Sequence, residues 1–368
     1  MTTKGISKNS LIHTENGFKN VEDVVIGDCV LNENNEFKKI VDIKVSSSND
    51  TYIVNGMCFD EIVCSANQEF LVKERYIIKD EKHHPVKKIR ETPVWKPIKD
   101  MEKGEYMCVS INSKSELPKW EGSYYNQFGH HRLLDKLSKH FENPSFWYLM
   151  GRYVGDGWTR RNYVNGESYR GAITICCSKK KTNDYDTLKE AFDKCGFNII
   201  ITNEKTVYKM SLYSVEIYDF VQRYSKGALN KTIDGETLSL PVELLSEFMH
   251  GYRDSDGSFT QDKFKLTSVG RNLIYSAGQC VAKAYNTHYH IYHTPMPSKC
   301  IIEGREVNCH DQYQLVWDTN REKKYKAFYE KGHIWFPVTK IIQNTENVNL
   351  YEIITEDGGY NVFSIATK

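Results

Sequence analysis

The chain has 368 residues, too many for one ordinary hydrophobic core, so two or three domains are expected. Hydrophobic residues at 40% and charged residues at 26% mark a foldable chain and exclude a disordered one. Lys+Arg 49 against Asp+Glu 48 leaves a net charge of +1, which excludes a wholly basic nucleic-acid wrapper and an acidic tail protein. From Leu11 to about Ile111 the pattern is short and β-like. Runs such as Val24–Leu31, Lys39–Val45, Glu61–Cys64 and Glu69–Val72 are bounded by Gly, Asn and Asp turns, as in an all-β module. Residues 79–99 interrupt it with a basic, proline-punctuated stretch, and residues 112–125 read as a linker.

After Pro144 the character changes. Ser145–Gly155 has helical spacing, and Ser145 or Asn143 is available as its cap. Two β-like segments follow, then a helix over Asp184–Cys195 that stops at Gly196, two more strands, and a helix near Val215–Tyr224. The order then repeats: helix Val242–Ser255, β-like Gly257–Ser268, helix Arg271–Tyr285, strands at His288–His293 and Tyr313–Asp318, helix Glu322–Lys331. Two tandem αββαββα-like units make an internal duplication. The tail from Ile334 to Lys368 returns to short β runs. Charge follows this division: residues 1–112 carry a net −2, residues 113–333 a net +5 and residues 334–368 a net −2. The duplicated middle is the basic part, which permits nucleic-acid binding without requiring it.

The chemistry concentrates where each repeat opens. The first begins Leu149-Met150-Gly151-Arg152-Tyr153-Val154-Gly155-Asp156-Gly157, the second Met249-His250-Gly251-Tyr252-Arg253-Asp254-Ser255-Asp256-Gly257. Small residues four apart (Gly151 and Gly155, Gly251 and Ser255) lie on one helix face and let two backbones approach closely. If the two helices pack through these faces, Asp156 and Asp256 meet at their C-terminal ends, where free carbonyls and partial negative charge also converge. Such an arrangement asks for a cation, and hard oxygen ligands suit Mg²⁺. A single Asp-Gly after a helix is more simply a capping glycine. Two copies at matching places in a duplicated unit are not.

These two motifs resemble those of a single-chain, double-motif LAGLIDADG homing endonuclease, although Arg152 and Tyr153 replace apolar residues. The resemblance, with its αββαββα order, covers about residues 140–333, in halves of about 140–235 and 236–333. It implies that Asp156 and Asp256, with the carbonyls of Gly155 and Ser255, bind catalytic Mg²⁺. It also implies a lysine near each site, for which Lys231 and Lys331 are the candidates, each 75 residues after its aspartate. Lys226 competes with Lys231, and for each lysine a solvated surface charge remains an ordinary explanation. The implied reaction is metal-dependent hydrolysis of both strands of a long, asymmetric DNA site by a monomer. Strands bearing Arg160, Arg161, Arg170, Lys263, Lys265, His288 and His290 would line a saddle over the duplex.

The flanks resemble a Hint domain of the intein type, split into residues 1–112 and 334–368, with a linker at 113–139. The fold class expected is therefore α+β, a pseudo-twofold endonuclease domain inserted in an all-β Hint domain. The splicing chemistry is absent: Gly5 stands at the nucleophile position, Ser65 and Gln68 replace the Thr and His of the TxxH block, and the chain ends Ala366-Thr367-Lys368. The basic stretch supplies Lys87, Lys88 and Arg90 as a further DNA arm, with a plain solvated loop equally open. Alternatives are a splicing intein, an RNA-splicing maturase and a DNA-binding relic without cleavage.

No apolar run reaches the roughly 18 residues of a membrane span, and residues 1–17 lack a signal-peptide stretch. Ten cysteines without a CxxC pair read as reduced thiols of an intracellular, cytoplasmic protein. His288, His290, His293, Cys300, Cys309 and His310 match no standard zinc spacing, so no zinc is expected.

Overall fold

The computed structural model describes residues 4–120, 122–125, 131–134, 137–164, 168–224, 227–302, 304–318 and 326–368. The chain divides into two compact units, residues 1–113 with 274–368, and residues 114–273. The segment 140–333 is thus shared between them. No helix among the described residues is long and apolar enough to cross a membrane.

The first unit is built on antiparallel sheet that interleaves the two ends of the chain. Tyr106–Ser110 pairs with His333–Pro337, Phe37–Ser48 with Val348–Thr355, and Thr51–Asn55 with Lys340–Asn344. Alternation puts Ile12, Val72, Val109, Phe336, Val362 and Ile365 into a core from which water is wholly excluded. The expected basic excursion is a hairpin, Arg75–Lys79 against Pro85–Ile89. The unit also takes in the chain from Ile274 because that segment packs on it. Tyr275 donates to Asp60 Oδ1 at 2.6 Å, and Gln279 Nε2 donates to the Ser110 carbonyl at 3.2 Å.

Two expectations fail in this unit. The helix over Glu322–Lys331 is not formed where residues are described: Phe328–Glu330 is a strand paired with His333–Pro337, and Lys331 turns the hairpin at φ 50. Its helical spacing loses to aromatic pairing, Phe328 lying opposite Trp335. The thiols are not all reduced either. Strands Lys299–Ile302 and Arg305–Asn308 form a hairpin that brings Cys300 to Cys309, and the two are disulfide-bonded.

The second unit opens with helix α1 (Pro144–Asp156), started by Asn143, whose side chain accepts from the Ser145 N–H, and by Pro144 at the first position. Strands Gly157–Val164 and Ser168–Ser178 lead to α2 (Asp184–Lys194). Strands Ile199–Asn203 and Val207–Tyr213 then lead to α3 (Val215–Val221), capped by Ser214. These four strands form one antiparallel sheet. A short α4 (Gly235–Leu238) precedes α5 (Val242–Asp256), which runs into the hairpin Gly257–Thr260 with Lys263–Ser268. Helix α6 (Arg271–Tyr285) begins here and continues into the first unit. Residues Phe146 to Val154 of α1 are all buried. Arg152, the polar intruder in the motif, is fully buried because its guanidinium pairs with Asp184 and donates to the Cys176 carbonyl.

Candidate active site

The site is built by two helices that touch backbone to backbone. A Cβ on Gly151 would stand 1.9 Å from the Phe248 carbonyl oxygen, and one on Gly251 would stand 2.0 Å from that of Tyr148. Glycine at these two positions is a condition of the contact. One turn further on, a Cβ on Gly155 would lie 1.9 Å from Ser255 Oγ and 3.3 Å from the Asp256 carboxyl carbon. The last residues of α1 and α5, Asp156 and Asp256, therefore stand together at two converging C-terminal ends.

The glycines that follow are not left-handed caps. Gly157 has φ −96° and Gly257 φ −82°, both extended. Their lack of a Cβ is needed for space: one on Gly157 would meet the Tyr153 oxygen at 2.5 Å, one on Gly257 the Arg253 oxygen at 2.3 Å. At both places the chain passes from helix to strand directly over the last helical turn.

Burial, not a lack of neighbouring cations, dominates the electrostatics of the pair. Asp156 is half-buried, and the loss of water raises its carboxyl above the usual carboxylate range, with Asp184 adding to the rise. Asp256 keeps an open solvent face. The protein packed behind it, and then Asp156 beside it, still push its carboxyl up. Lys231, Lys181 and Arg152 pull both back toward ionisation. Burial in turn lowers the Lys231 ammonium against the attraction of both aspartates.

The two lysines hold matching places. Lys231 Nζ donates to the carbonyls of Val154 at 2.7 Å and Gly155 at 2.9 Å, at the end of α1. Lys181 Nζ donates to those of Asp254 at 2.6 Å and Ser255 at 3.1 Å, at the end of α5. Each opens on its own cavity. One of about 470 Å³ is lined by Tyr153, Gly157, Trp158 and Lys231, the other of about 290 Å³ by Arg253, Gly257, Ser258 and Lys181.

Of the residues singled out in the sequence, Asp156, Asp256, Gly155, Ser255 and Lys231 come together here. Lys331 belongs to the other unit, exposed on its hairpin turn, and Lys226 lies outside the described residues. Lys181 is not singled out by the sequence; the run Lys179-Lys180-Lys181 signals charge but not which exposed ammonium reaches the end of α5. Arg160 and Arg161 are exposed on the strand that leaves Asp156, and Lys263 and Lys265 lie on the hairpin that leaves Asp256. The side chain of Arg170 lies outside the described residues. His290 lies on strand Tyr289–Thr294 of the first unit with His288 just before it, where burial holds the His288 imidazole below its ordinary value. Lys87, Lys88 and Arg90 are exposed along the basic hairpin.

Gly5, Ser65 and Gln68 also come together. The Ser65 N–H donates to the Gly5 carbonyl at 3.0 Å, and the Gly5 N–H donates to Gln68 Oε1 at 2.7 Å. Gln68 Nε2 donates to Thr367 Oγ1 at 2.7 Å and to the Lys368 carbonyl at 3.2 Å. Among the described residues no three His, Cys, Asp or Glu side chains group closely enough to hold a metal by themselves. Any metal here would need backbone carbonyls as well as the two aspartates.

No protein-family model matches the chain, and no curated protein matches it. Among solved structures, the chain is similar to the homing endonuclease I-DmoI in complex with DNA and Mn, at 15% identity and a TM-score of 0.33, over 47% of this chain and 88% of that one. It is also similar to full-length DUF199/WhiA from Thermatoga maritima, at 12% identity and a TM-score of 0.28, over 48% of this chain and 51% of that one.

Proposed function

We propose that the chain is a site-specific DNA endonuclease of the LAGLIDADG homing class, cutting both strands as a monomer, in a Hint-like β frame that no longer splices. One observation carries the reading: two helices ending in Asp-Gly pack through their glycines and set Asp156 beside Asp256. Two carboxylates and the Gly155 and Ser255 carbonyls are hard oxygen donors, and two ammonium groups already rest on those carbonyls. The donor set therefore fits Mg²⁺. When bound, the divalent cation supplies an activated water and neutralises charge on the scissile phosphate.

The chain's own residues set up the rest. Asp156 and Asp256 would hold the cation, and each immediately precedes a strand that would lead toward its own half of the duplex. Two such ends serve two strands, so the product is a double-strand break. Lys231 lies beside both carboxylates and offers fixed positive charge to the phosphate. Arg160 and Arg161 in one half, and Lys263 and Lys265 in the other, read base edges and phosphates. Because these sets differ, the DNA site is asymmetric. His288 and His290, and Lys87, Lys88 and Arg90 on the basic hairpin, are further candidates for phosphate contacts. The grouping of both aspartates with Lys231 supports cleavage over a DNA-binding relic or a maturase.

The test is selection of cleaved sites from a randomised duplex library in Mg²⁺. One asymmetric site family, cut on both strands, is expected. Asp156→Asn and Asp256→Asn should each lower double-strand cleavage by about 100-fold or more while binding stays within a few-fold. Full cleavage by either variant would refute the assignment.

A further inference from the structure

The contacts made by Lys181 repeat those of Lys231 one hundred residues along. Lys231 takes the carbonyls of residues 154 and 155, Lys181 those of 254 and 255. The carbonyls of a last helical turn have no partner in the helix and carry its partial negative charge. Here two such ends converge, each with an added carboxylate, so positive charge is required at both. The lysines supply it from unrelated parts of the fold: Lys231 follows α3, and Lys181 lies between strand Ser168–Ser178 and α2. Both come from the first repeat. The corresponding loop of the second repeat, Val269-Gly270 before α6, offers no lysine.

We infer that Lys181 is the counterpart of Lys231 at the second helix end, and that both ammonium groups stand in for divalent cations on these carbonyls and yield them when the cations enter. Each ammonium bonds the carbonyl of the residue just before its aspartate, Gly155 or Ser255, the atom a cation held by that aspartate would share. A double and a single positive charge on one carbonyl oxygen repel at close range. The lighter charge, on a flexible four-carbon stem, is the one that moves. Each lysine already lines a cavity beside its helix end, of about 470 Å³ for Lys231 and 290 Å³ for Lys181. The released ammonium has somewhere to go and can face a phosphodiester there. The catalytic meaning of the exchange rests on the endonuclease reading, but the exchange itself does not.

The experiment is a Mn²⁺ titration of the full chain without DNA, following free Mn²⁺ by electron paramagnetic resonance. Lys181→Met and Lys231→Met should each tighten Mn²⁺ binding about tenfold, Lys331→Met should not, and Asp256→Asn should cancel the gain of Lys181→Met. Unchanged or weaker binding in both Lys181→Met and Lys181→Gln, at an unchanged melting temperature, would overturn the inference. So would the absence of Mn²⁺ binding in every variant up to millimolar concentration. A second arm uses a DNA site that the wild type cuts: Lys181→Met should slow one strand and Lys231→Met the other, and equal slowing of both strands by each would count against the pairing. If the wild type cuts no DNA, the endonuclease reading fails, and the Mn²⁺ titration still decides the role of the lysines.

Discussion

Single residues in this chain are explained by where their charge or polarity ends up. Arg152 breaks the apolar pattern of its motif, and only the structure supplies Asp184 to pair it. Lys181 is one of three consecutive lysines, and nothing in that run says which one reaches the end of α5. His13 shows the cost of burying a titratable ring. Its imidazole is wholly buried, stacked on Phe18 at 4.6 Å with Nδ1 3.1 Å from Ser364 Oγ, and burial pushes it down to about 3. The folded protein therefore keeps His13 neutral while the unfolded chain takes up a proton below about 6.5. Stability from this group is complete above that value and is lost as pH falls toward about 3. At pH 5 the loss is about 2 kcal/mol. Urea unfolding at pH 7 and pH 5 should show that His13→Asn loses about that much less stability over the interval than the wild type. Equal losses would mean that His13 is not the acid-sensitive group.

At the scale of elements, the opening helices of both repeats were legible because their reason for existing is local and repeated: small residues four apart, then Asp-Gly. Their contact turns the spacing into a constraint. Gly151→Ala and Gly251→Ala each place a methyl about 2 Å from a carbonyl oxygen of the facing helix. The helices must separate, at a cost of about 2–4 kcal/mol. Chemical denaturation should show that loss, together with reduced cleavage of both strands, since the aspartates move with the helix ends. A loss below about 0.5 kcal/mol would mean the helices are not in backbone contact. Over the described end of Glu322–Lys331 the spacing is helical locally, but Phe328–Glu330 forms a strand because the pairing of Phe328 with Trp335 is a choice made by a partner strand. The Cys300–Cys309 bond escaped notice for a related reason. Nine residues apart in sequence, the two meet only because a hairpin folds between them.

For the molecule as a whole, the sequence reads as a basic middle between two acidic β pieces, and strands from the two ends of the chain pair in one sheet. In that unit Gln68 ties Gly5 to Thr367 and Lys368 with neutral hydrogen bonds. Gly5 sits at φ +138°, and a Cβ there would lie 3.0 Å from the Tyr351 carbonyl oxygen. A nucleophilic side chain at this position is thus opposed by backbone conformation as well as by space. Expressed between foreign flanks, the protein should show no excision on denaturing gels, and an excised product would sink the splicing-inactive reading. What the sequence determined by itself is whatever depends on neighbours a few residues apart: the helix faces and the Asp-Gly ends. What only the tertiary structure decided is which distant groups share one charge environment. Lys181 rather than another lysine, Asp184 under Arg152, and α6 from Ile274 with the β unit all follow from desolvation and packing. Those forces act between surfaces that meet only after the chain has folded.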